Sequence, residues 1–199
     1  YAGRDVIPMW IADTDFRAPP PVLDALQQRI EHGIFGYASP WPSLKNAVVD
    51  ALARDYDWQI QPEWLVFNPG VVTGFNLACQ IGGAPGNSVF TLTPTYPPMF
   101  RAPGHSGQRL ICCDMLRDSD GWQFDWDGIS AALDPSVRTL LLCNPHNPLG
   151  KVYTREELQR LVEIAQQRDL LICSDEIHAG LVLNPEKQHI PIAALDESV

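Results

Sequence analysis

The chain has 199 residues and a mass of 22.1 kDa, with 45% hydrophobic and 19% charged residues; that is enough apolar material for a sizeable core and it excludes general disorder. The formal net charge of −10 and sequence pI of about 4.8, with no basic cluster, argue against a nucleic-acid partner. No apolar run is long enough to span a bilayer, and nothing at the start reads as a signal peptide, so no membrane partner is expected.

Residues 6–11 are an apolar entry segment, followed by Asp13-Thr14-Asp15-Phe16. Pro19, Pro20 and Pro21 lead into a helix, because the first helical N–H groups have no intrahelical partner and proline loses nothing there. Val22, Leu23, Leu26 and Ile30 supply its apolar face, and Gly33 stops it. Phe35-Gly36-Tyr37 follows in a loop. Ser43 is placed to cap a second helix, with Leu44, Val48 and Leu52 at helical spacing. Two helices before any strand predict an N-terminal arm over residues 1–60.

Beyond Trp64 strands and helices alternate. Residues 65–67 read as a short strand, and Asn68-Pro69-Gly70-Val71-Val72-Thr73-Gly74 turns into a helix through Ile81. Residues 89–92 are the next strand, and a short helix near Met99 ends at Pro103-Gly104. Residues 109–113 form a third strand, followed by an excursion with a turn at Asp120-Gly121. Asp125 caps a helix reaching Leu133, and residues 139–143 form a fourth strand. Thr154 and Glu157 have capping-box spacing, with Leu158, Leu161, Val162 and Ala165 on the buried face of the helix they open. Residues 170–174 are a fifth strand, and residues 181–183 and 190–195 are short apolar pieces around a polar loop. Such alternation predicts right-handed crossovers and a mostly parallel sheet with flanking helices, an α/β domain over residues 61–199.

The five cysteines, Cys79, Cys112, Cys113, Cys143 and Cys173, include no CxxC pair, and adjacent Cys112 and Cys113 point to opposite faces of a strand. Buried free thiols in a reducing, cytoplasmic setting fit this pattern better than a metal site. Tyr1 in place of an initiator Met, and the stop at Asp196-Glu197-Ser198-Val199, suggest that both ends are cut from a longer protein.

In a parallel sheet the strand ends share one edge, where open α/β proteins bind ligands. The turns expected there span residues 70–73, 93–96, 144–150 and 175–178. The first opens a helix whose free N–H groups suit a phosphate, although a plain turn has the same look. Tyr96 can stack on a flat ligand or simply pack. Asn147 can donate to a ligand oxygen or close its proline-rich turn, and either bond before Pro145 or Pro148 could be cis. The strand Leu170-Leu171-Ile172-Cys173-Ser174 runs straight into Asp175, which can face a cationic group or cap a turn. A phosphate, a flat ring, a ring oxygen and a ring nitrogen paired with a carboxylate together describe pyridoxal 5′-phosphate (PLP), whose protonated ring nitrogen makes it a better electron sink.

Asn144-Pro145-His146-Asn147-Pro148-Leu149-Gly150 followed by Ser174-Asp175-Glu176-Ile177-His178 resembles the fold-type I PLP enzymes, the class I/II aminotransferase superfamily. Trp10-Ile11-Ala12-Asp13-Thr14-Asp15-Phe16, His32-Gly33-Ile34-Phe35-Gly36-Tyr37 and Pro94-Thr95-Tyr96 are similar to its cystathionine β-lyase or C–S lyase branch. The resemblance implies an incomplete large domain of the PLP-dependent transferase type behind an N-terminal arm. It implies that Asp175 pairs with the pyridine nitrogen, Asn147 bonds the ring oxygen, and Tyr96 stacks on the ring. It assigns the phosphate to the amides of Val71 and Val72 and, across a homodimer, to Tyr37. Asp13 and Tyr96 are implied to meet the substrate. His178 stands where typical aminotransferases carry Tyr near the ring oxygen, a departure that favours the lyase branch. Leu149 replaces the Thr or Val common in its turn.

The family's Schiff-base lysine is not matched by Lys45, Lys151 or Lys187 and is expected beyond Val199, as is the arginine that binds the substrate carboxylate. Lys151 and Lys187 read as solvated loop lysines. The activity implied for the parent protein is cleavage of an S-substituted cysteine, an amino-acid thioether, to thiol, pyruvate and ammonia. The alternatives are a PLP-dependent aminotransferase and a non-catalytic or regulatory protein that keeps the fold.

Overall fold

A computed structural model describes residues 3–7 and 14–196. The chain forms two compact units, Tyr1–Ser39 and Pro40–Val199.

In the first unit, α1 (Pro20–His32) starts on proline and stops where Gly33 turns left-handed at φ 74°, donating its N–H to the Arg29 carbonyl. Its apolar residues Val22, Leu26 and Ile30 are exposed, against the buried face expected of them, because an amphipathic stripe is buried only where another element packs on it. Val6 and Ile7 of the entry segment are also exposed. Residues 8–13, with Asp13, lie outside the described residues.

The second unit begins with α2 (Pro42–Tyr56), so the helix expected in the arm belongs instead with the sheet. Trp41 holds the cap position and Ser43 lies inside the first turn, capping nothing, since Pro42 is already set for the first helical position. Residues 65–67 are not a strand. No described strand pairs with them, and Val66 is 84% exposed; a strand exists only as part of a ladder.

The sheet elements are α3 (Val71–Gly82), β1 (Ser88–Thr93), α4 (Pro97–His105), β2 (Arg109–Asp114), the hairpin β3 (Leu116–Asp118) and β4 (Gly121–Gln123), α5 (Trp126–Ala132), β5 (Val137–Cys143), α6 (Arg155–Arg168) and β6 (Leu171–Asp175). Single 3₁₀ turns at Ala179–Leu181 and Ile192–Ala194 replace the last apolar pieces. α4 runs through Pro103, with the proline ring buried in its last turn, instead of stopping there. Asp125 caps α5 by accepting from the Gly128 N–H, and the Thr154–Glu157 capping box opens α6.

The sheet order is β2-β1-β5-β6, and every pair is parallel. Side-chain alternation divides the core between the two faces. Val89, Leu141 and Cys143 meet Phe75 and Cys79 of α3 and Met99 and Ala102 of α4. Phe90, Leu92, Leu140 and Leu142 meet Ile129 of α5 and Leu158, Leu161, Val162 and Ala165 of α6.

Gly82 shows how closely α3 is seated. A Cβ there would lie 2.1 Å from Thr139 Oγ1 and 3.2 Å from Leu171 Cδ2, and Thr139 is fully buried. Gly82→Ala is expected to cost about 1–3 kcal/mol through overpacking, in spite of alanine's better helix propensity. A urea unfolding midpoint reads this directly, and Thr139→Ala in the same protein should recover part of the loss.

Candidate functional site

The chain leaves β1 in one direction across the sheet, over α4 to β2, and leaves β5 in the other, over α6 to β6. The two helices lie on opposite faces. The order therefore reverses between β1 and β5, and the crevice beyond their carboxyl ends is where an open α/β sheet binds a ligand. The strand ends are level there: Thr93 stands beside Asp114, and Cys143 beside Asp175.

α3 points its N-terminus at this edge. Its last residue, Gly82, abuts Thr139 and Leu171 at the starts of β5 and β6, and its twelve residues extend about 18 Å at 1.5 Å per residue toward the carboxyl ends. Gly70, at φ 155° and ψ 160°, adopts backbone geometry essentially open to glycine alone. It donates its N–H to Asn68 Oδ1 at 3.1 Å. No side chain caps α3 and no acidic residue lies in its first turn, so the N–H groups of Val71 and Val72, both partly exposed, meet no competing carboxylate.

Tyr96 is the cap residue of α4, half-buried against the α3–α4 core cluster. Asn147 is half-buried; its backbone N–H goes to Cys143 Sγ at 3.3 Å, and its side-chain amide has no partner among the described residues. The bonds preceding Pro94, Pro145 and Pro148 are all cis.

Asp175 ends β6 and is 6% exposed. By alternation it shares Cys173's face of the sheet, the one covered by α3 and α4. Oδ1 accepts the Ile177 N–H at 3.2 Å, and the other oxygen has no partner among the described residues. Burial pushes this carboxyl above its ordinary value, opposed by the Ile177 N–H and the nearby His178. A buried carboxylate with a free oxygen is matched by a ligand N–H that carries positive charge. His178 is half-buried just past the strand, at the start of a 3₁₀ turn. Tyr37 is fully exposed and belongs to the first unit.

Two residues without an assigned role brace this edge. His146, 2% exposed, bonds the Pro94 carbonyl and the Tyr153 hydroxyl. Glu176 accepts from Ser174 Oγ at 2.8 Å, the Ile192 N–H at 3.1 Å and His189 Nε2 at 2.9 Å, with Asn144 Nδ2 at 3.5 Å. Both stood in the quoted motifs, but their partners are up to 52 positions away, beyond the reach of local spacing.

Lys151 is not solvated. Its side chain is 13% exposed, its Nζ lies 2.8 Å from Glu157 Oε1, and it sits over the rings of Phe124 and Tyr153. Lys187 is exposed, as expected. The thiols are less uniform than predicted: Cys112 is exposed and Cys173 half-buried, and Cys79, Cys113 and Cys143 are buried. Burial pushes Cys143 up to about 11 and Cys173 up to about 12, which keeps both as inert thiols. Cavities of about 630 and 350 Å³ lie elsewhere, on the side of Tyr56 and His189, and contain none of the predicted site residues.

An open parallel sheet whose switch point is faced by a helix N-terminus, an aromatic ring and a buried carboxylate defines a ligand-binding α/β protein. The chain belongs to the Aminotransferase class I and II family, whose sequence model matches residues 4–199. It is 38% identical over 198 residues to cystathionine β-lyase PatB of Bacillus subtilis, covering 99% of this chain and 51% of that protein. The structure of OvoB superposes with a TM-score of 0.93 at 46% identity, covering 99% of this chain and 52% of that one. The PLP-bound C–S lyase from Staphylococcus hominis superposes with a TM-score of 0.90 at 28% identity, covering 96% and 49%. The chain spans about half the length of the curated relatives it matches. The family is the one its motifs resemble.

Proposed function

We propose that the full-length protein is a PLP-dependent C–S β-lyase that cleaves an S-substituted cysteine to thiol, pyruvate and ammonia. The observation that carries this reading is Asp175: a buried carboxylate with one free oxygen, on the sheet face toward which α3 presents uncapped N–H groups. That pairing fits a ring with a protonated nitrogen and a phosphate. When bound, PLP supplies an electron sink for the pair left at the substrate's α-carbon.

The chain's own residues bind and orient. Asp175 holds the proton on the ring nitrogen. Asn147 donates its free amide to the ring oxygen, with His178 beside it, and Tyr96 stacks on the ring. The N–H groups of Val71 and Val72 take the phosphate. Lys151 is committed to Glu157 and is not placed to act as the proton-transferring lysine. The names of the relatives, cystathionine β-lyase and C–S lyase, support lyase over transaminase chemistry.

The unit from Pro40 is the cofactor-binding part. The first unit is an arm completed by a second subunit, a reading supported by its exposed Ile34, Phe35 and Tyr37. The free cysteines are consistent with a cytoplasmic location.

Incubating the full-length protein with PLP and cystathionine is expected to release pyruvate and a free thiol in equal amounts. Release of neither overturns the proposal, and keto-acid-dependent formation of pyridoxamine phosphate as the main turnover would assign the aminotransferase activity instead.

A further inference from the structure

His146 is buried just past the end of β5, and its ring reaches the loop that follows β1. Nε2 is 2.8 Å from the carbonyl oxygen of Pro94, at the base of the loop that carries Tyr96. Nδ1 meets the hydroxyl of Tyr153, which is itself 2% exposed. The backbone of His146 also closes its own turn: its N–H donates to the Lys151 carbonyl at 2.8 Å, and its carbonyl accepts the Gly150 N–H at 2.8 Å. The residue after it is Asn147.

The partners decide the tautomer. A carbonyl only accepts, so Nε2 carries the proton. Burial pushes the imidazole below its ordinary value, with Lys151 adding to the effect against the Pro94 bond, so the ring is neutral. Nδ1 therefore bears a lone pair, and the Tyr153 hydroxyl donates to it. The result is a directed chain: Tyr153 O–H to His146 Nδ1, then His146 Nε2–H to the Pro94 carbonyl. It fastens the end of β1 to the end of β5.

We propose that His146 is a positioning residue that sets the Tyr96 loop against the Asn147 turn, so that the groups assigned to the face and to the oxygen of the cofactor ring are held in fixed relation. The cofactor half of this statement rests on the proposed function; the tie between the two loops does not.

The two halves separate experimentally. Glutamine can place a donor where Nε2 stands, whereas asparagine reaches only the Nδ1 position. In the full-length protein without cofactor, His146→Asn is expected to speed amide hydrogen exchange about tenfold at both Thr95–Tyr96 and residues 146–150, and His146→Gln to stay within about twofold of wild type, the scale of one buried hydrogen bond. The PLP dissociation constant is expected to follow the same order. Equal effects of the two variants, or exchange that changes only in residues 146–150, would overturn the proposal. A wild-type protein that takes up no PLP while the exchange pattern holds would reject the cofactor reading and leave the tie standing. Should the variants not fold, long-range ¹H–¹⁵N NMR of the wild-type imidazole decides the matter: a proton on Nε2 is expected, and a proton on Nδ1 would overturn it.

Discussion

Asp175→Asn is expected to weaken PLP binding by the full-length protein while making the cofactor-free protein more stable. The first effect follows from charge. The asparagine amide is neutral and cannot hold a proton on a ring nitrogen. If Asp175 lifts that nitrogen's pKa by about two units, its loss removes roughly 2.7 kcal/mol of preference for the protonated ring, up to about a hundredfold in affinity for that form. The second effect follows from burial, which raises the native pKa of Asp175 above that of the unfolded chain. The native state then binds the proton more tightly than the unfolded state does. The cost of ionising Asp175 is absent below the unfolded pKa, grows as pH rises through the raised native value, and is complete above it. Asparagine keeps an oxygen for the Ile177 N–H and carries no such cost. Thermal melts of both cofactor-free proteins should therefore diverge as pH rises from the acid range to neutrality, with the variant melting higher. A fluorescence titration with PLP reads the binding loss, and unchanged affinity would remove Asp175 from the site.

Glu176→Ala is expected to be the most destabilising single truncation near the strand ends, at about 2–4 kcal/mol, because it strands several donors at once. The carboxylate joins Ser174 on β6, Asn144 at the end of β5, and His189 and Ile192 of the closing segment. His189 is 3% exposed, and its Nδ1 is already without a partner, so water cannot readily replace the lost acceptor. Glu176→Gln should cost less, about 1–2 kcal/mol. Its carbonyl still serves Ser174 and Ile192, and its amide can donate to His189 once that ring moves its proton to Nδ1. Chemical denaturation of the three proteins checks the order. A Gln variant as damaged as the Ala variant would show that charge, not hydrogen-bond count, holds the segment.

These two neighbours were not equally legible. Asp175 stood out in the sequence because an apolar strand ran into a carboxylate without a turn residue between. Glu176 looked like the next polar residue in the same motif. What it does depends on Asn144, His189 and Ile192, which come near only after β5 and β6 pair. His146 is the same case, its partner Pro94 lying on a different strand's loop. Lys151 went further astray: a lysine after a proline-rich turn reads as solvated, yet Glu157, six positions on, and two aromatic rings enclose it.

Local chemistry was enough wherever the stabilising partners are a few residues apart. The capping box at Thr154 and Glu157, the Asp125 cap, a turn within one residue of Asp120-Gly121 (at Ser119-Asp120) and the buried stripe of α6 all came from short-range hydrogen bonding and periodicity. Alternating strand and helix sufficed for a parallel sheet, because parallel strands require crossovers. Residues 65–67 and α1 mark the boundary of that reasoning. Their apolar residues satisfy strand and helix patterns, but a ladder needs a second strand and a stripe needs a facing surface, and neither is written in the segment itself. The strand order, the reversal between β1 and β5, and the face on which Asp175 emerges were decided by tertiary structure alone, since register and layer are properties of pairs of elements.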